Sequence, residues 1–272
     1  MILTADGGST KTTWMTEENG TRQLFRTQGL NPFHQTEDEM RRIINNELLR
    51  QEGFPCAAAI SYVHFYGAGC TIEKAPLLAT ILHESFPASH DVEVGSDILG
   101  AARALFHNEE GIACILGTGS NSCLYDGKEI VANVSPMGYI LGDEGSGAVL
   151  GKTFVNCLYK GGHSETQKVF EKETGLTAAE IIENVYRRPF PNRFLASLAT
   201  FIRRHTDEPW IEQMVVECFR EFFKRNISHY LRPELPCSFV GSIAFYFERE
   251  LRIAAEKEGS IIGKVMKEPL ML

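Results

Sequence analysis

One pattern occurs twice in this chain, and the repetition restricts the fold more than any other property. Near the start, the apolar run Met1 to Ala5 leads into Asp6-Gly7-Gly8-Ser9-Thr10-Lys11-Thr12, continues to Trp14 and turns at Glu17-Glu18-Asn19-Gly20. Downstream, Gly111-Ile112-Ala113-Cys114-Ile115-Leu116 leads into Gly117-Thr118-Gly119-Ser120-Asn121-Ser122, then Cys123-Leu124-Tyr125-Asp126-Gly127-Lys128. Each copy reads as strand, turn of small and hydroxyl residues, strand, Asx-Gly-type turn, strand. Internal duplication of this kind predicts two related lobes that face each other, each offering one loop to a shared phosphate chain.

The first turn puts an acid, backbone donors, hydroxyls and a cation in one short segment, which is what a nucleotide's phosphates and magnesium require. Glycines let amides converge on an anion without Cβ interference, and a carboxylate at a strand end can hold a hydrated Mg²⁺. A Gly-Gly-Ser-Thr turn between strands also serves as a plain hairpin connection. A third glycine turn, Val240-Gly241-Ser242-Ile243-Ala244, reads either as an ordinary strand-to-helix turn or as a place where a flat ring approaches the backbone.

Between the repeats, helical spacing covers Gln35 to Gln51 after the capping candidate Thr36. A buried strand is expected over Ala57 to Phe65, a helix over Thr71 to Phe86, a short strand over Val92 to Gly95, and a helix over Ile98 to Leu105. Such alternation implies parallel pairing through right-handed crossovers. After Gly142 the pattern turns helical: Glu144 to Lys160, Ser164 to Glu173, Ala178 to Tyr186, Asn192 to His205 and Pro209 to Leu231. Cys237 to Val240 reads as a strand, a long helix follows to about Glu258, and Ser260 to Leu272 reads as a terminal strand and tail. Phe219, Phe222, Phe223 and Tyr230 recur at helical spacing and are expected in the core.

Asp97, at a strand exit and helix entrance, is either an N-cap or a general base aimed at the site where open α/β sheets bind ligands. Ser146 to Thr153 imitates a Walker A loop, but Ser146 stands at the first glycine position and no apolar strand immediately precedes it. Gly145 to Gly151 misses the dinucleotide fingerprint by one residue. The eight histidines show no ligand spacing. The seven cysteines are scattered and mostly sit in apolar runs, as expected of buried hydrophobes in a reducing compartment.

A formal charge of −8 over 272 residues argues against nucleic acid or an anionic membrane as partner and favours a small diffusible substrate. With no stretch approaching a membrane span and no leader pattern at the N-terminus, the expectation is a cytoplasmic protein.

These residues resemble the sugar-kinase, heat-shock-chaperone and actin ATPase superfamily, and more closely its N-acetylglucosamine kinase and BadF/BadG/BcrA/BcrD branch. The match runs over nearly the whole chain. Asp6 to Thr12 resembles the first phosphate motif, Gly117 to Asn121 the second, and Val240 to Ala244 the adenosine motif. The run Gly142-Asp143-Glu144-Gly145-Ser146-Gly147 is typical of the branch.

The resemblance implies an α/β, duplicated ribonuclease H-like (actin-like ATPase) two-lobed fold with a helix-rich second lobe: residues 1–110, then 111–272 with a helical insertion over about 144–232. It further implies ATP and Mg²⁺ as cofactors and phosphorylation of an N-acetylated hexosamine, most nearly N-acetylglucosamine, with a homodimer left open. In that reading Gly7, Gly8, Ser9, Thr10, Lys11, Thr118, Gly241 and Ser242 bind ATP, Asp6 organises magnesium through water, and Asp97 is the base. Asn31, Asp97, Gly119, Ser120, Asn121, Gly138 and Asp143 bind the sugar. Phe33 and Met137 stand where the compared kinase carries tryptophans. Two other functions remain open: an ATPase activator of a 2-hydroxyacyl-CoA dehydratase, which would bridge a dimer with an iron–sulfur cluster, and a nucleotide-dependent switch without catalysis.

Overall fold

The computed structural model of the protein describes residues 1–8 and 11–269. Ser9 and Thr10, named above as phosphate ligands, therefore lie outside the described residues. The chain divides into two compact units, Met1–Ala104 and Leu105–Glu268.

In the first unit, β1 (Ile2–Gly7), β2 (Lys11–Glu18) and β3 (Thr21–Gln28) form an antiparallel ribbon, turned by Asn19 and Gly20, both with left-handed φ. That is the conformation for which Asn-Gly is suited in a two-residue hairpin. Next come α1 (Glu37–Arg42), β4 (Tyr62–Gly67), α2 (Ala75–Ser85), β5 (Asp91–Ser96) and α3 (Asp97–Phe106). The sheet order is β3-β2-β1-β4-β5, with β4 and β5 parallel to β1. Trp14 is fully buried between sheet and helices, its Nε1 donating to Thr27 Oγ1 at 3.0 Å. Truncating an aromatic of this kind to alanine costs about 3–5 kcal/mol.

The second unit repeats the plan. It contains β6 (Gly111–Leu116), β7 (Ser120–Tyr125), β8 (Ile130–Val134), α4 (Gly138–Leu141), α5 (Gly147–Lys160), α6 (Ser164–Thr174) and α7 (Ala178–Tyr186). Then follow α8 (Pro191–Ser197), α9 (Ala199–Arg204), α10 (Pro209–Arg225), β9 (Pro236–Val240), α11 (Ser242–Tyr246), α12 (Glu248–Lys257) and β10 (Ile261–Met266). Its sheet order, β8-β7-β6-β9-β10, matches that of the first unit strand for strand. The expected α/β duplication with a helix-rich second half is therefore the observed architecture. Phe219, Phe222, Phe223 and Tyr230 lie in the core.

Several boundaries differ from expectation. The segment expected as one helix over 35–51 begins at Glu37, where Thr36 and Glu39 form a capping box. From Ile43 to Leu48 it widens to a π-turn that keeps Ile43, Ile44 and Leu48 all buried. Ala57 to Ala59 form a 3₁₀ turn, and the strand starts at Tyr62, because pairing begins opposite Ile2, the first residue of β1. The helix expected over 192–205 is broken at Leu198. The one expected to Leu231 stops at Arg225 before a 3₁₀ turn, and the long helix after Gly241 is interrupted at Phe247. Among the described residues no helix is long and apolar enough to cross a membrane.

Candidate functional site

In the first unit, the carboxyl ends of β1, β4 and β5 finish level: Gly7 pairs with Gly67 and Gly67 with Ser96. The ends of parallel strands are where open α/β sheets bind ligands. Gly7 and Gly67 both lie on the Phe65 ring, where an added Cβ would come within 2.4 and 2.5 Å of it. The Gly8 amide donates to the Lys11 carbonyl at 2.9 Å and closes the first glycine turn, and half-buried Asp6 lies just before it on β1.

Asn31 is held in a tight turn. Its backbone amide donates to Gln35 Oε1 at 2.8 Å, and its Oδ1 accepts from the Phe33 amide at 3.0 Å. The side chain is only 7% exposed and lies against Gly69, whose φ is +79° and where a Cβ would fall 2.0 Å from Asn31 Oδ1. The turn Gly67-Ala68-Gly69-Cys70 thus links the Asn31 turn to the strand ends. The sequence holds a clue to it, a glycine pair after an apolar strand, as at both repeats, but no hydroxyl or acid marks it.

One of the two readings of Asp97, the helix cap, is excluded locally. Ser96 Oγ accepts from the Leu99 amide at 3.3 Å, so the capping role falls to Ser96. Asp97 accepts from the adjacent Ile98 amide at 2.8 Å. It is half-buried, and the surrounding protein dehydrates the carboxyl and raises its pKa above the ordinary value, a shift the Ile98 bond opposes. Cys70 lies near enough for burial, assisted by the Asp97 charge, to push its thiol up to about 12.

In the second unit, the corresponding strand end is shaped by the backbone. The Gly117 amide donates to the Gly119 carbonyl at 3.0 Å; the Gly147 and Ala148 amides donate to the carbonyls of Gly117 and Thr118 at 2.8 and 3.1 Å. Ser146 caps α5 through the Val149 amide. The first turn of α5 is thus committed to holding the 117–119 loop, which sets aside the Walker A imitation at 146–153. Gly241, with φ +126°, presses on the same loop: a Cβ there would fall 2.2 Å from the Leu116 carbonyl oxygen. The second and third glycine turns are therefore adjoining parts of one strand end, with Thr118 and Ser242 exposed on it.

Asp143 joins this group. Its Oδ1 accepts from the Ser120 amide at 3.3 Å, and a Cβ on Gly119 would lie 3.0 Å from its Oδ2. Burial raises its carboxyl to about 6; the Ser120 bond opposes the shift, Glu144 reinforces it and Lys152 opposes it. Met137 and Gly138 at the start of α4 and Asp143 shortly after it all carry left-handed φ. For residues other than glycine that conformation costs roughly 1–3 kcal/mol and concentrates at working sites. Asn121 Oδ1 accepts from Asn133 Nδ2 at 3.0 Å. Sequence reading does not single out Asn133, which lies on the expected third strand of the repeat and bears no motif.

Phe33 and Met137 are 61% and 59% exposed, as residues that could wall a ligand would be. Among the described residues no cluster of three or more His, Cys, Asp or Glu side chains is arranged to hold a metal. A cation here would share a carboxylate such as Asp6 with water and substrate phosphates, the usual condition of nucleotide-bound magnesium.

No protein-family model and no curated protein matches the chain. Solved structures do. A candidate N-acetylglucosamine kinase from Porphyromonas gingivalis is 50% identical, with TM-score 0.94 over 99% of this chain and 96% of that one. A candidate N-acetylglucosamine kinase from Chromobacterium violaceum is 19% identical, with TM-score 0.71 over 97% and 94%. A ROK family glucokinase from Streptomyces griseus, solved with glucose and AMPPNP, is 14% identical, with TM-score 0.61 over 98% and 93%. The last two share the fold alone. With half its residues identical to the Porphyromonas protein across essentially its whole length, the chain belongs to the N-acetylglucosamine kinase family.

Proposed function

We propose that the protein is an ATP-dependent kinase that phosphorylates a hydroxyl of an N-acetylated hexosamine, most nearly N-acetylglucosamine. The observation that carries this reading is Asp97. It is an aspartate at the carboxyl end of a parallel strand, relieved of capping by Ser96, with a raised pKa, in a chain half identical to an amino-sugar kinase candidate.

Asp97 accepts the proton of the acceptor hydroxyl as its oxygen bonds to the γ-phosphorus and the bond to the β-phosphate oxygen breaks, releasing ADP. A raised pKa makes the carboxylate a better proton acceptor. In the first unit Asn31 holds sugar hydroxyls, and Gly7, Gly8, Ser9, Thr10 and Lys11 take phosphate. In the second, Thr118 contacts phosphate, Gly241 and Ser242 the adenosine, and Gly119, Ser120, Asn121, Gly138 and Asp143 the sugar. Bound magnesium supplies charge neutralisation of the phosphates, with Asp6 holding it through water. Most of the rate gain comes from positioning and electrostatics.

The cluster-bearing activator is disfavoured by its own chemistry. Cluster ligands are exposed thiolates, whereas among the described residues Cys56 is the one exposed cysteine and Cys157 is half-buried; Cys70, Cys114, Cys123, Cys218 and Cys237 are buried, and burial pushes Cys218 and Cys237 up to about 11 and about 12. A coupled ADP-release assay over N-acetylglucosamine, N-acetylmuramic acid, N-acetylmannosamine, glucose and glucosamine tests the proposal. Turnover should be greatest with N-acetylglucosamine. ATP binding by calorimetry with no sugar-dependent ADP release would instead favour the switch.

A further inference from the structure

The candidate base stands on a turn between two glycines, and both glycines face the same ring. A Cβ on Gly95, two residues before Asp97, would lie 3.1 Å from Tyr66 Cδ1. One on Gly100, three residues after it, would lie 2.5 Å from Tyr66 Cβ and 2.7 Å from Cγ. Tyr66 thus fills the wedge between the end of β5 and the first turn of α3. At Gly100 contacts this close leave no room for a side chain, and at Gly95 the ring would have to give by a few tenths of an ångström; close-packed interiors transmit displacement.

The ring is itself held. Its hydroxyl donates to Glu93 Oε2 at 2.9 Å and accepts from Arg103 Nη1, while the same Nη1 donates to both Glu93 oxygens at 2.7 Å. The Arg103 guanidinium also lies 5.4 Å from the ring centroid. Tyr66 is on β4, Glu93 on β5 and Arg103 on α3, so the network joins the strand before Asp97, the helix after it and the neighbouring strand. The ion pair is about one-third exposed, and pairs so exposed contribute little stability. Its effect is on orientation.

We infer that Tyr66 is a positioning residue for Asp97: its ring sets the 95–100 turn, and Glu93 with Arg103 sets the ring. The inference rests on the reading of Asp97 as the base, and it names a residue outside the groups assigned to sugar or nucleotide. A misplaced catalytic group loses rate steeply with distance.

Steady-state kinetics of purified variants, with thermal melts alongside, test it. Tyr66→Ala should lower kcat at least about tenfold while KM for sugar and for ATP stays within about twofold, since the base is displaced but the binding groups are not. Tyr66→Phe should recover most of the loss, because the wedge is the ring. If Tyr66→Ala does not fold, Gly95→Ala provides the same test, since its new Cβ needs the ring to give by a few tenths of an ångström; kcat should fall several-fold at unchanged KM. A kcat within twofold of wild type in the variant that folds, or a rise in sugar KM with kcat intact, overturns the inference. Asp97→Asn separates the two readings. If it retains activity, the base assignment fails and this inference with it; if it is inactive while Tyr66→Ala and Gly95→Ala keep full kcat, only the positioning role fails.

Discussion

The two units share one strand order, yet they stiffen their functional ends by different means. In the first unit the work is done by side chains: Asn31 and Gln35 lock one turn, Ser96 caps α3, and Phe65 underlies two glycines. In the second it is done by the main chain, with the carbonyls of Gly117 and Thr118 tied to the start of α5 and Gly241 pressed on Leu116. A loop defined by its backbone presents amides that suit any phosphate. A turn defined by side chains can hold an acid and an amide at fixed places and so choose an acceptor. The units also diverge in what they insert between matching strands. Only α1 and short turns lie between Gln28 and Tyr62, whereas seven helices lie between Val134 and Pro236.

The sharpest way to break this comparison is Asp97→Ala. If the first unit supplies the chemistry, kcat for sugar phosphorylation should fall by about 10² to 10⁴, with KM for ATP nearly unchanged. Retention of activity within about tenfold of wild type would remove the base from the first unit.

Gly241→Ala examines the opposite half. Its φ of +126° and the Leu116 carbonyl 2.2 Å from the new Cβ make this a strained and crowded position. A loss of about 3 kcal/mol is expected, roughly 6–12 °C in Tm for a unit of this size. Gly117→Ala, a few residues away in space but with nothing within 4 Å of its Cβ and no positive φ, should leave Tm almost unchanged. Equal losses in the two would mean that the loop is not held by the close approach of Gly241.

How much of this was legible in the sequence depended on whether local chemistry or long-range pairing decided the matter. The duplicated ribbon was legible, since apolar runs, Asx-Gly turns and hydroxyl-rich turns are all local. The helix-rich insertion was legible from its periodicity, and Thr36 from its capping box with Glu39. The start of β4 was not, because Ala57 to Ile60 look as apolar as the strand itself, and only the register with Ile2 shows where pairing begins. The π-turn at Ile43 to Leu48 was equally hidden, as it answers to core packing. Of the site, Asp97 could be nominated but not separated from a capping residue, because the hydroxyl that caps in its place is one residue away and equally suited to the role. Tyr66, Asn133 and the Gly67 to Cys70 turn carry no motif. Their relevance comes from contacts across 12 to 38 residues of chain.

Asn31→Ala sharpens the contrast from the side of binding. It removes the Oδ1 bond to the Phe33 amide and the packing on Gly69, so both turn geometry and sugar contact suffer. Sugar KM should rise about tenfold with a stability loss of about 1 kcal/mol, while KM for ATP, to which Asn31 is not assigned, should hold. A parallel rise in both constants would mean that Asn31 does not act on the sugar alone.

The smallest expected effect is also the most specific to the second unit. Burial raises Asp143 from 3.8 to about 6, so it is ionised above that pH and protonated below it. Protonation removes the charge from the bond accepted from the Ser120 amide and turns one oxygen into a donor, so activity should fall as pH drops through about 6. Stability has the opposite sign. A carboxyl whose pKa is raised on folding contributes stability that is fully present below about 3.8 and lost as pH rises through about 6. Asp143→Asn should therefore be at least as stable as wild type at pH 8 while losing sugar affinity. Because the Glu144 charge adds to the shift and the Lys152 charge opposes it, Glu144→Gln should move the acidic limb of kcat/KM downward, and Lys152→Met should move it upward, each by roughly half a pH unit or less. A limb that ignores both substitutions belongs to another group. Asp97, whose carboxyl is also raised by burial, is then the first group to test, through the pH profile of Asp97→Asn.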